Sequence, residues 1–203
     1  MSDILPFSAA CERNKDVILE TLSPYLADVN IVLEIGSGTA QHAVHFARAQ
    51  SHLVWQTSDQ TQYIDGIVSQ LKYAELDNIL APIVIDVKQV QWVPDGKKYS
   101  AIYSANTLHI MNASEVEVFF QGLPLVSKDK AYLFIYGPFK YEGAFTSESN
   151  AEFDRSLRSR ECGSAIRDFE VIETYANKAG FNLIKDHKMP ANNQLLVFQK
   201  QSS

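Results

Sequence analysis

Three acidic residues recur along the first half of the chain at a nearly constant interval. Glu34, Asp59 and Asp86 each end or follow a short apolar run, and they are 25 and 27 residues apart. An ionised carboxylate at the end of an apolar segment carries a cost in desolvation free energy. Three of them in series favour a ligand that presents hydroxyl groups, amines or positive charge, because carboxylates accept hydrogen bonds from such groups.

Two glycines follow the first of these acids. Gly36 and Gly38 allow a sharp backbone turn and let a ligand approach without a Cβ in its way. Backbone N–H groups at the start of a following helix can bind a carboxylate or a phosphate. Asp59 lies 23 residues after Gly36, close to the spacing of about 20 residues at which an acid binds ribose hydroxyls in nucleotide folds. The pattern therefore predicts a nucleoside site.

Strands and helices must position these groups. Short apolar runs predict parallel strands at residues 30–35, 53–57, 82–85, 100–105 and 131–136. Helix-period stretches lie between them, which indicates an α/β fold, and a terminal antiparallel hairpin is predicted at residues 181–188 and 194–200. Parallel strands end at one edge of the sheet, where ligands bind. The three acids are expected to meet there.

Helix boundaries are predicted from capping residues. Asn14 is expected to cap a first helix that Pro24 breaks or kinks. Asn112 and Glu115 have the spacing of a capping box, and Asp168 is expected to cap a later helix.

A stretch without clear periodicity, residues 137–150, is expected to be functional because long loops in compact domains often are. With the helical pattern after it, residues 137–167 form a candidate lid over the active site. The aromatic residues of this region either form a local core or enclose a substrate: Phe139, Tyr141 and Phe145. Its arginines either face solvent or meet an anionic substrate: Arg158, Arg160 and Arg167.

Length and composition limit the classes of function. The chain has 203 residues, which is close to one domain, and a net charge of −6, which argues against nucleic acid and anionic membranes as partners. Residues 1–7 lack a secretory signal, and no apolar window is long enough for a membrane span. Cys11 and Cys162 fit free thiols in a reducing compartment, and no metal site is expected. We expect a cytoplasmic protein that binds a small molecule, of unassigned oligomeric state.

Residues 32–40, VLEIGSGTA, resemble the first motif of class I S-adenosylmethionine (SAM)-dependent methyltransferases, in which apolar residues precede E-x-G-x-G-x-G. Ala40 replaces the third glycine. The resemblance covers essentially the whole chain, and it implies a Rossmann-like, seven-stranded, mostly parallel sheet with helices on both faces and an antiparallel C-terminal hairpin. Further strings resemble the small group that contains methyltransferase-like protein twenty-six: RN at 13–14, ANTLHIM at 105–111, YGPF at 136–139, FTSESN at 145–150 and MPANN at 189–193.

The resemblance implies a role for each residue around the glycine loop. The Gly36–Gly38 loop would face the methionine portion of SAM, and Thr39 would also belong to the cofactor site. Glu34 would help to organise this loop.

The resemblance also assigns residues after the next strands. Asp59 would accept hydrogen bonds from the ribose hydroxyls. Asp86 would contact the adenine amine, with the Val87 N–H nearby. Asn106 would border the methionine end and the methyl group.

Methyl transfer needs an in-line approach in a site that excludes water, and a general base only where the acceptor must lose a proton. Candidate catalytic residues at the same edge are His109, Tyr136 and Glu148, with Arg13 nearby. His109 is the first choice as base because the ordinary histidine pKa lies near neutrality. A loop histidine whose partners are backbone groups is the alternative.

Other functions remain open. A nicotinamide-dependent dehydrogenase would need glycine at position 41, where this chain has Gln41. A non-catalytic cofactor-binding or scaffold protein is compatible with the same fold. Amino-methylating enzymes often carry Asn/Asp-Pro-Pro-aromatic after the fourth strand, whereas this chain has NTLH at 106–109, which argues against DNA methylation. We therefore expect a SAM-dependent methyltransferase with a small-molecule acceptor.

Overall fold

A computed structural model describes residues 5–88, 92, 96–160 and 162–202. The described strands are, in chain order, β1 (Ile31–Ile35), β2 (Val54–Asp59), β3 (Ile79–Val84), β4 (Tyr99–Ala105), β5 (Ser127–Gly137), β6 (Phe139–Tyr141), β7 (Ala144–Phe145), β8 (Arg167–Asp168), β9 (Phe181–Met189) and β10 (Asn193–Lys200). The described helices are α1 (Ala9–Leu26), α2 (Gln41–Ala49), α3 (Thr61–Ala74), α4 (Ala113–Val126), α5 (Glu148–Arg158) and α6 (Phe169–Lys178), and a short 3₁₀ turn spans Pro190–Asn192.

The main sheet has seven strands in the order β3-β2-β1-β4-β5-β10-β9. The first five strands pair in parallel, and β10 pairs antiparallel with both β5 and β9. This arrangement confirms the predicted Rossmann-like, mostly parallel sheet with its terminal hairpin. Strand order reverses between β1 and β4, so the loops after these strands diverge and open a crevice at their carboxyl ends.

Each face of the sheet carries a hydrophobic core. Side chains alternate between faces along a strand, so Val32 belongs to one core and Leu33 to the other. One core packs α1, α2 and α3 against the sheet, and the other packs α4 and α6. The prediction of helices on both faces is confirmed. In the part of the chain that the structure describes, no helix has the length and apolar character needed to cross a bilayer.

The first helix differs from its prediction. Ser8, not Asn14, is the N-cap of α1, and its side-chain oxygen accepts a hydrogen bond from the Cys11 N–H. Asn14 lies inside the helix and its Oδ1 is 2.7 Å from His42 Nε2. Pro24 sits in the last turn and does not end the helix. Ser8 and Asn14 are both residue types that favour the N-cap of a helix. In the structure Ser8 caps α1, and the Asn14 side chain contacts His42 instead.

Two other boundaries show how tertiary pairing overrides local pattern. β3 begins at Ile79 rather than at residue 82, because Ile79 and Leu80 pair with β2. Pro82 is accommodated because β3 lies at the edge of the sheet. Asp168 is the N-cap of α6 by position, but its side chain makes no capping bond and its carboxylate pairs with Lys140 Nζ at 2.9 Å.

The capping box of α4 is confirmed in both directions. The Glu115 N–H donates to Asn112 Oδ1 at 2.9 Å, and the Asn112 N–H donates to Glu115 Oε2 at 2.8 Å. The segment predicted as a loop at residues 137–150 contains the short strands β6 and β7 and the start of α5. A small sheet of order β7-β6-β8 holds it in place.

Candidate active site

A cavity of about 870 Å³ opens at the carboxyl ends of the parallel strands. The loops after β1, β2, β3 and β4 form its floor, and the start of α1 closes one side. α5 and the turn between β9 and β10 form the opposite wall. Cavities of this size, at the point where strand order reverses, are typical ligand sites in α/β folds.

The glycine loop after β1 has two distinct requirements for glycine. Gly36 has φ +79°, and a Cβ there would lie 2.8 Å from Thr107 Oγ1, so the loop packs directly on the turn after β4. Gly38 has φ +55° and a Cβ there would meet nothing within 4 Å, because it faces the cavity. Both residues, together with Thr39, line the cavity. A ligand can therefore approach the backbone at Gly38 closely.

Asp59 ends β2 and faces the cavity. Its Oδ2 accepts a hydrogen bond from the Gly38 N–H at 2.7 Å, and its Oδ1 accepts one from the Gln60 N–H at 2.7 Å. Burial raises the pKa of this carboxyl, and the two backbone hydrogen bonds oppose that change. A carboxylate has about four lone-pair sites, so both oxygens keep acceptor capacity for hydroxyl groups of a ligand.

Glu34 lies behind the loop rather than on the cavity wall. Its side chain is buried, and its Oε2 accepts hydrogen bonds from Ser37 Oγ at 2.9 Å and from Trp55 Nε1 at 3.1 Å. Burial raises the pKa of Glu34 to about 7, with a smaller contribution from the charge of Asp59. Glu34 thus supports the glycine loop from within the protein and is not part of the cavity lining.

The third acid is also absent from the wall. Asp86 is half-buried, and its Oδ1 accepts a hydrogen bond from the Lys88 N–H at 3.0 Å, which closes the turn after β3. Val87 and Lys88 line the cavity in its place. The expectation that three carboxylates converge on one ligand is therefore wrong, since Asp59 alone of the three faces the cavity.

The turn after β4 contributes two further predicted residues. Asn106, with φ +56°, and His109 both line the cavity. The His109 ring is buried and packs edge-on against Phe153, with ring centroids 5.2 Å apart. Burial, together with the charges of Arg167 and Arg160, lowers the pKa of His109 to about 4. The imidazole is therefore neutral at pH 7 and accepts a proton only weakly, which is poorly matched to general-base catalysis.

The other two candidate catalytic residues lie off the wall. Tyr136 is buried and hydrogen-bonded to the side chains of Asn14 and Asn193. Glu148 has an 80% exposed side chain and pairs with Arg155 at 3.4 Å. A catalytic role for either residue stays a prediction.

α5 supplies a wall that sequence reasoning did not assign. Its cavity-facing residues share one helical face and are continued by an arginine after the helix: Ser149, Asn150, Phe153, Leu157 and Arg160. Asn150 Nδ2 donates to the Asn192 carbonyl at 2.9 Å and so joins α5 to the turn before β10. The spacing of 149, 153, 157 and 160 was a helical signal, but it does not say which surface the helix covers.

The three aromatic residues of the candidate lid form local contacts instead of a cage. Phe139 is buried in the core, and Tyr141 stacks on Phe169 with ring centroids 5.2 Å apart. Tyr141 Oη also donates to Asp186 Oδ2 at 2.5 Å. None of Phe139, Tyr141 and Phe145 lines the cavity. Residues 137–167 thus provide part of a wall, and their movement as a lid stays a prediction.

Comparison with known proteins agrees with this architecture. A model of the family described as "Protein of unknown function (DUF938)" matches residues 5–200. The fold is similar to the apo crystal structure of the S-adenosylmethionine-dependent methyltransferase SibL, with a TM-score of 0.80 and 17% identity, covering 96% of this chain and 56% of that one.

Two further structures show the same likeness. Human N-acetylserotonin methyltransferase in complex with SAM matches with a TM-score of 0.79 and 11% identity, over 95% of this chain and 53% of that one. The mitomycin 7-O-methyltransferase MmcR matches with a TM-score of 0.79 and 13% identity, over 95% and 55%. The chain spans little more than half the length of these solved proteins. The likeness establishes the SAM-dependent methyltransferase fold.

Metal ligation has no support in the described ranges, where no three His, Cys, Asp or Glu side chains are grouped to hold an ion.

Proposed function

The chain belongs to the DUF938 family and has the methyltransferase fold, and from this premise we propose that it binds SAM and transfers the methyl group to a small molecule. The observation that carries the proposal is the junction of Asp59 and Gly38. A buried carboxylate and an open, Cβ-free backbone meet in one cavity, at the position where the strand order reverses.

The residues that line or support the cavity match the ribose, methionine and adenine portions of SAM. Asp59 accepts hydrogen bonds from the ribose hydroxyls with the lone pairs that Gly38 and Gln60 leave unused. Gly38 admits the methionine portion, since a Cβ there would occupy cavity space. Val87 and Asn106 both line the cavity; Val87 would lie beside the adenine ring, and Asn106 would border the methyl group. Glu34 acts indirectly, by holding Ser37 and with it the loop.

When bound, SAM supplies an electrophilic methyl group on a sulfonium sulfur, so the protein has to align the acceptor and exclude water. Apolar side chains on the turn after β4 and on α5 line the cavity and would exclude water once an acceptor covers them: Ile110, Met111, Phe153 and Leu157. With a pKa of about 4, His109 positions the acceptor as a neutral hydrogen-bonding group.

The proposal extends to the subfamily, the class of acceptor, the lid and the cellular compartment. The strings at 105–111, 136–139 and 189–193 support membership in the group that contains methyltransferase-like protein twenty-six. The net charge of −6 supports a small-molecule acceptor over nucleic acid. Residues 137–167 supply the lid, and the protein acts in the cytoplasm.

Calorimetric titration with SAM and with S-adenosylhomocysteine tests the proposal. We expect one site per chain, and we expect Asp59→Asn to weaken S-adenosylhomocysteine binding roughly tenfold to a hundredfold, since a hydrogen bond to a charged group contributes about 1.5–3 kcal/mol. Asp65→Asn is the matched control, because Asp65 is an exposed aspartate on α3 outside the cavity.

Absence of heat and of any thermal shift with both ligands would contradict the proposal. Tight binding of NADH would favour the dehydrogenase alternative. Cofactor binding without methyl transfer to any member of a metabolite screen would favour a non-catalytic role.

A further inference from the structure

The cavity has two ends that differ in chemistry. The end at β2 and β3 carries Asp59 and Val87, to which the proposed function assigns the nucleoside. The other end lies where the turn after β4 meets α5. Along α5 the lining changes from polar Asn150 to apolar Phe153 and Leu157. It then ends at Arg160, two residues beyond the helix.

Apolar side chains at this second end are exposed to an unusual degree for a cavity wall. Ile110 is 54% exposed and Phe153 is 37% exposed, and both line the cavity. Leaving apolar surface in water costs about 25 cal/mol per Å². A ligand with an apolar or aromatic body would cover these two side chains.

Arg160 is a positive charge at this end without a counter-charge in the described ranges. The cavity wall also carries Lys88, Glu115 and Asp59. Lys88 Nζ lies 3.4 Å from Glu115 Oε1, and Asp59 accepts two backbone N–H groups. No described carboxylate lies within ion-pair distance of the Arg160 guanidinium. Two arginines of α5 itself do have carboxylate partners: Arg155 pairs with Glu148 and Glu152, and Arg158 with Asp154.

Arg167 lies near this end of the cavity and has a structural role. Its guanidinium donates to the carbonyl oxygens of Leu108 at 3.2 Å and Gly163 at 2.9 Å, and also to that of Met111. These bonds hold the turn that carries His109. The low pKa of His109 reflects both arginines, in addition to its burial. Arg167 does not line the cavity, and the carboxylates of Asp154, Glu115 and Asp168 offset its charge, so Arg160 is the group on this end of the wall that can meet an anion.

We propose that Arg160 binds an anionic oxyacid group of the methyl acceptor, a carboxylate or a phosphate, while Phe153, Leu157 and Ile110 cover its apolar or aromatic body. This inference rests on the proposed function, because it assigns this end of the cavity to the acceptor. A planar guanidinium matches carboxylate and phosphate oxygens in a two-point contact. The acceptor is therefore a small amphiphilic acid.

One other ligand group could meet Arg160, namely the carboxylate of the methionine portion of SAM. In that case the loss of Arg160 would weaken binding of the cofactor itself. The glycine loop and Asn106, which we assign to the methionine portion, lie after β1 and β4, whereas Arg160 follows α5. The experiment therefore measures cofactor and acceptor affinity separately.

The test is a titration of protein saturated with S-adenosylhomocysteine, followed by amide chemical shifts, with phenylacetate, phenyl phosphate and the neutral phenylacetamide as probes. We expect at least one anionic probe to bind more tightly than the amide and to shift resonances of α5. Arg160→Met should weaken the anionic probe roughly tenfold to a hundredfold, because it removes a charge-assisted hydrogen bond. The relative affinity of the two acids identifies the oxyacid.

Arg155→Met is the matched control, since Arg155 is an exposed arginine of the same helix that does not line the cavity. It should leave the affinities of probe and S-adenosylhomocysteine unchanged. Arg160→Met should leave the affinity for S-adenosylhomocysteine and the melting temperature unchanged, because the side chain is exposed.

Four results would overturn the inference. If wild-type protein binds S-adenosylhomocysteine but binds the acids no better than the amide, or if Arg160→Met leaves acid binding unchanged, the acceptor assignment is wrong and the methyltransferase proposal stands. If Arg160→Met weakens S-adenosylhomocysteine in equal measure, Arg160 binds the cofactor. If wild-type protein fails to bind S-adenosylhomocysteine, the proposed function fails and the inference with it.

Discussion

Replacing Glu34 by glutamine should change how the free energy of unfolding depends on pH. The carboxyl of Glu34 is buried, and burial raises its pKa from 4.5 to about 7 in the folded protein. The folded state therefore holds this proton more tightly than the unfolded state. The resulting stabilisation is fully present below about pH 4.5 and is lost as the pH rises through about 7. Glutamine has no such proton and keeps one oxygen to accept from Ser37 and Trp55.

The size of the effect follows from the pKa difference. One pKa unit corresponds to about 1.36 kcal/mol, so the full contribution is about 3 kcal/mol, most of which is lost between about pH 5 and about pH 8. Urea unfolding at these two pH values should show Glu34→Gln gaining about 2–3 kcal/mol relative to wild type at the higher pH. Glu20→Gln, at an exposed position of α1, is the control and should show no such gain. Parallel pH curves for Glu34→Gln and wild type would refute the argument that burial controls this carboxyl.

Two further predictions concern the same edge of the sheet. Gly36→Ala should destabilise the protein more than Gly143→Ala, by roughly 1–3 kcal/mol in urea unfolding. Both glycines have positive φ, but a Cβ at Gly36 would lie 2.8 Å from Thr107 Oγ1, whereas one at Gly143 would meet open space. Equal losses of unfolding free energy in the two variants would contradict the packing of the loop on Thr107. The His109 imidazole should titrate in NMR spectra with a pKa of about 4, and a value near 6.5 would show that burial and the two arginines do not act on it as described.

The sequence predicted those parts of the site that depend on local geometry. A strand followed by glycines needs no distant contact to form a backbone turn, so the turn at Gly36 and Gly38 and the strand-end position of Asp59 follow from local pattern, while their roles in binding stay predictions. The capping box of Asn112 and Glu115 is equally local, and both of its hydrogen bonds are present.

The local sequence pattern did not predict in which direction the acidic side chains at the strand ends point. Glu34 turns into the core because Trp55 and Ser37 offer it hydrogen-bond donors there. Asp86 is instead used by its own turn, through the Lys88 N–H. The spacing along the chain places all three acids at one edge of the sheet. It does not distinguish a carboxylate that faces the cavity from one that holds a neighbouring loop in place.

The far wall depends on tertiary packing and could not be assigned in advance. Arg160 was one of several arginines with two interpretations, and only the packing of α5 across the turn at His109 brings it to the cavity. Asn14 is a similar case, since its contact with His42 joins two helices that are far apart in the sequence.

The central claim is that the cavity at the carboxyl ends of β1 to β4 holds the nucleoside of SAM. A crystal structure grown with S-adenosylhomocysteine tests it most directly. We expect the ribose hydroxyls to lie within hydrogen-bond distance of the Asp59 carboxylate and the amino-acid portion to cross Gly38. A nucleoside bound elsewhere, or an Asp59 that makes no contact with the ribose, would contradict it.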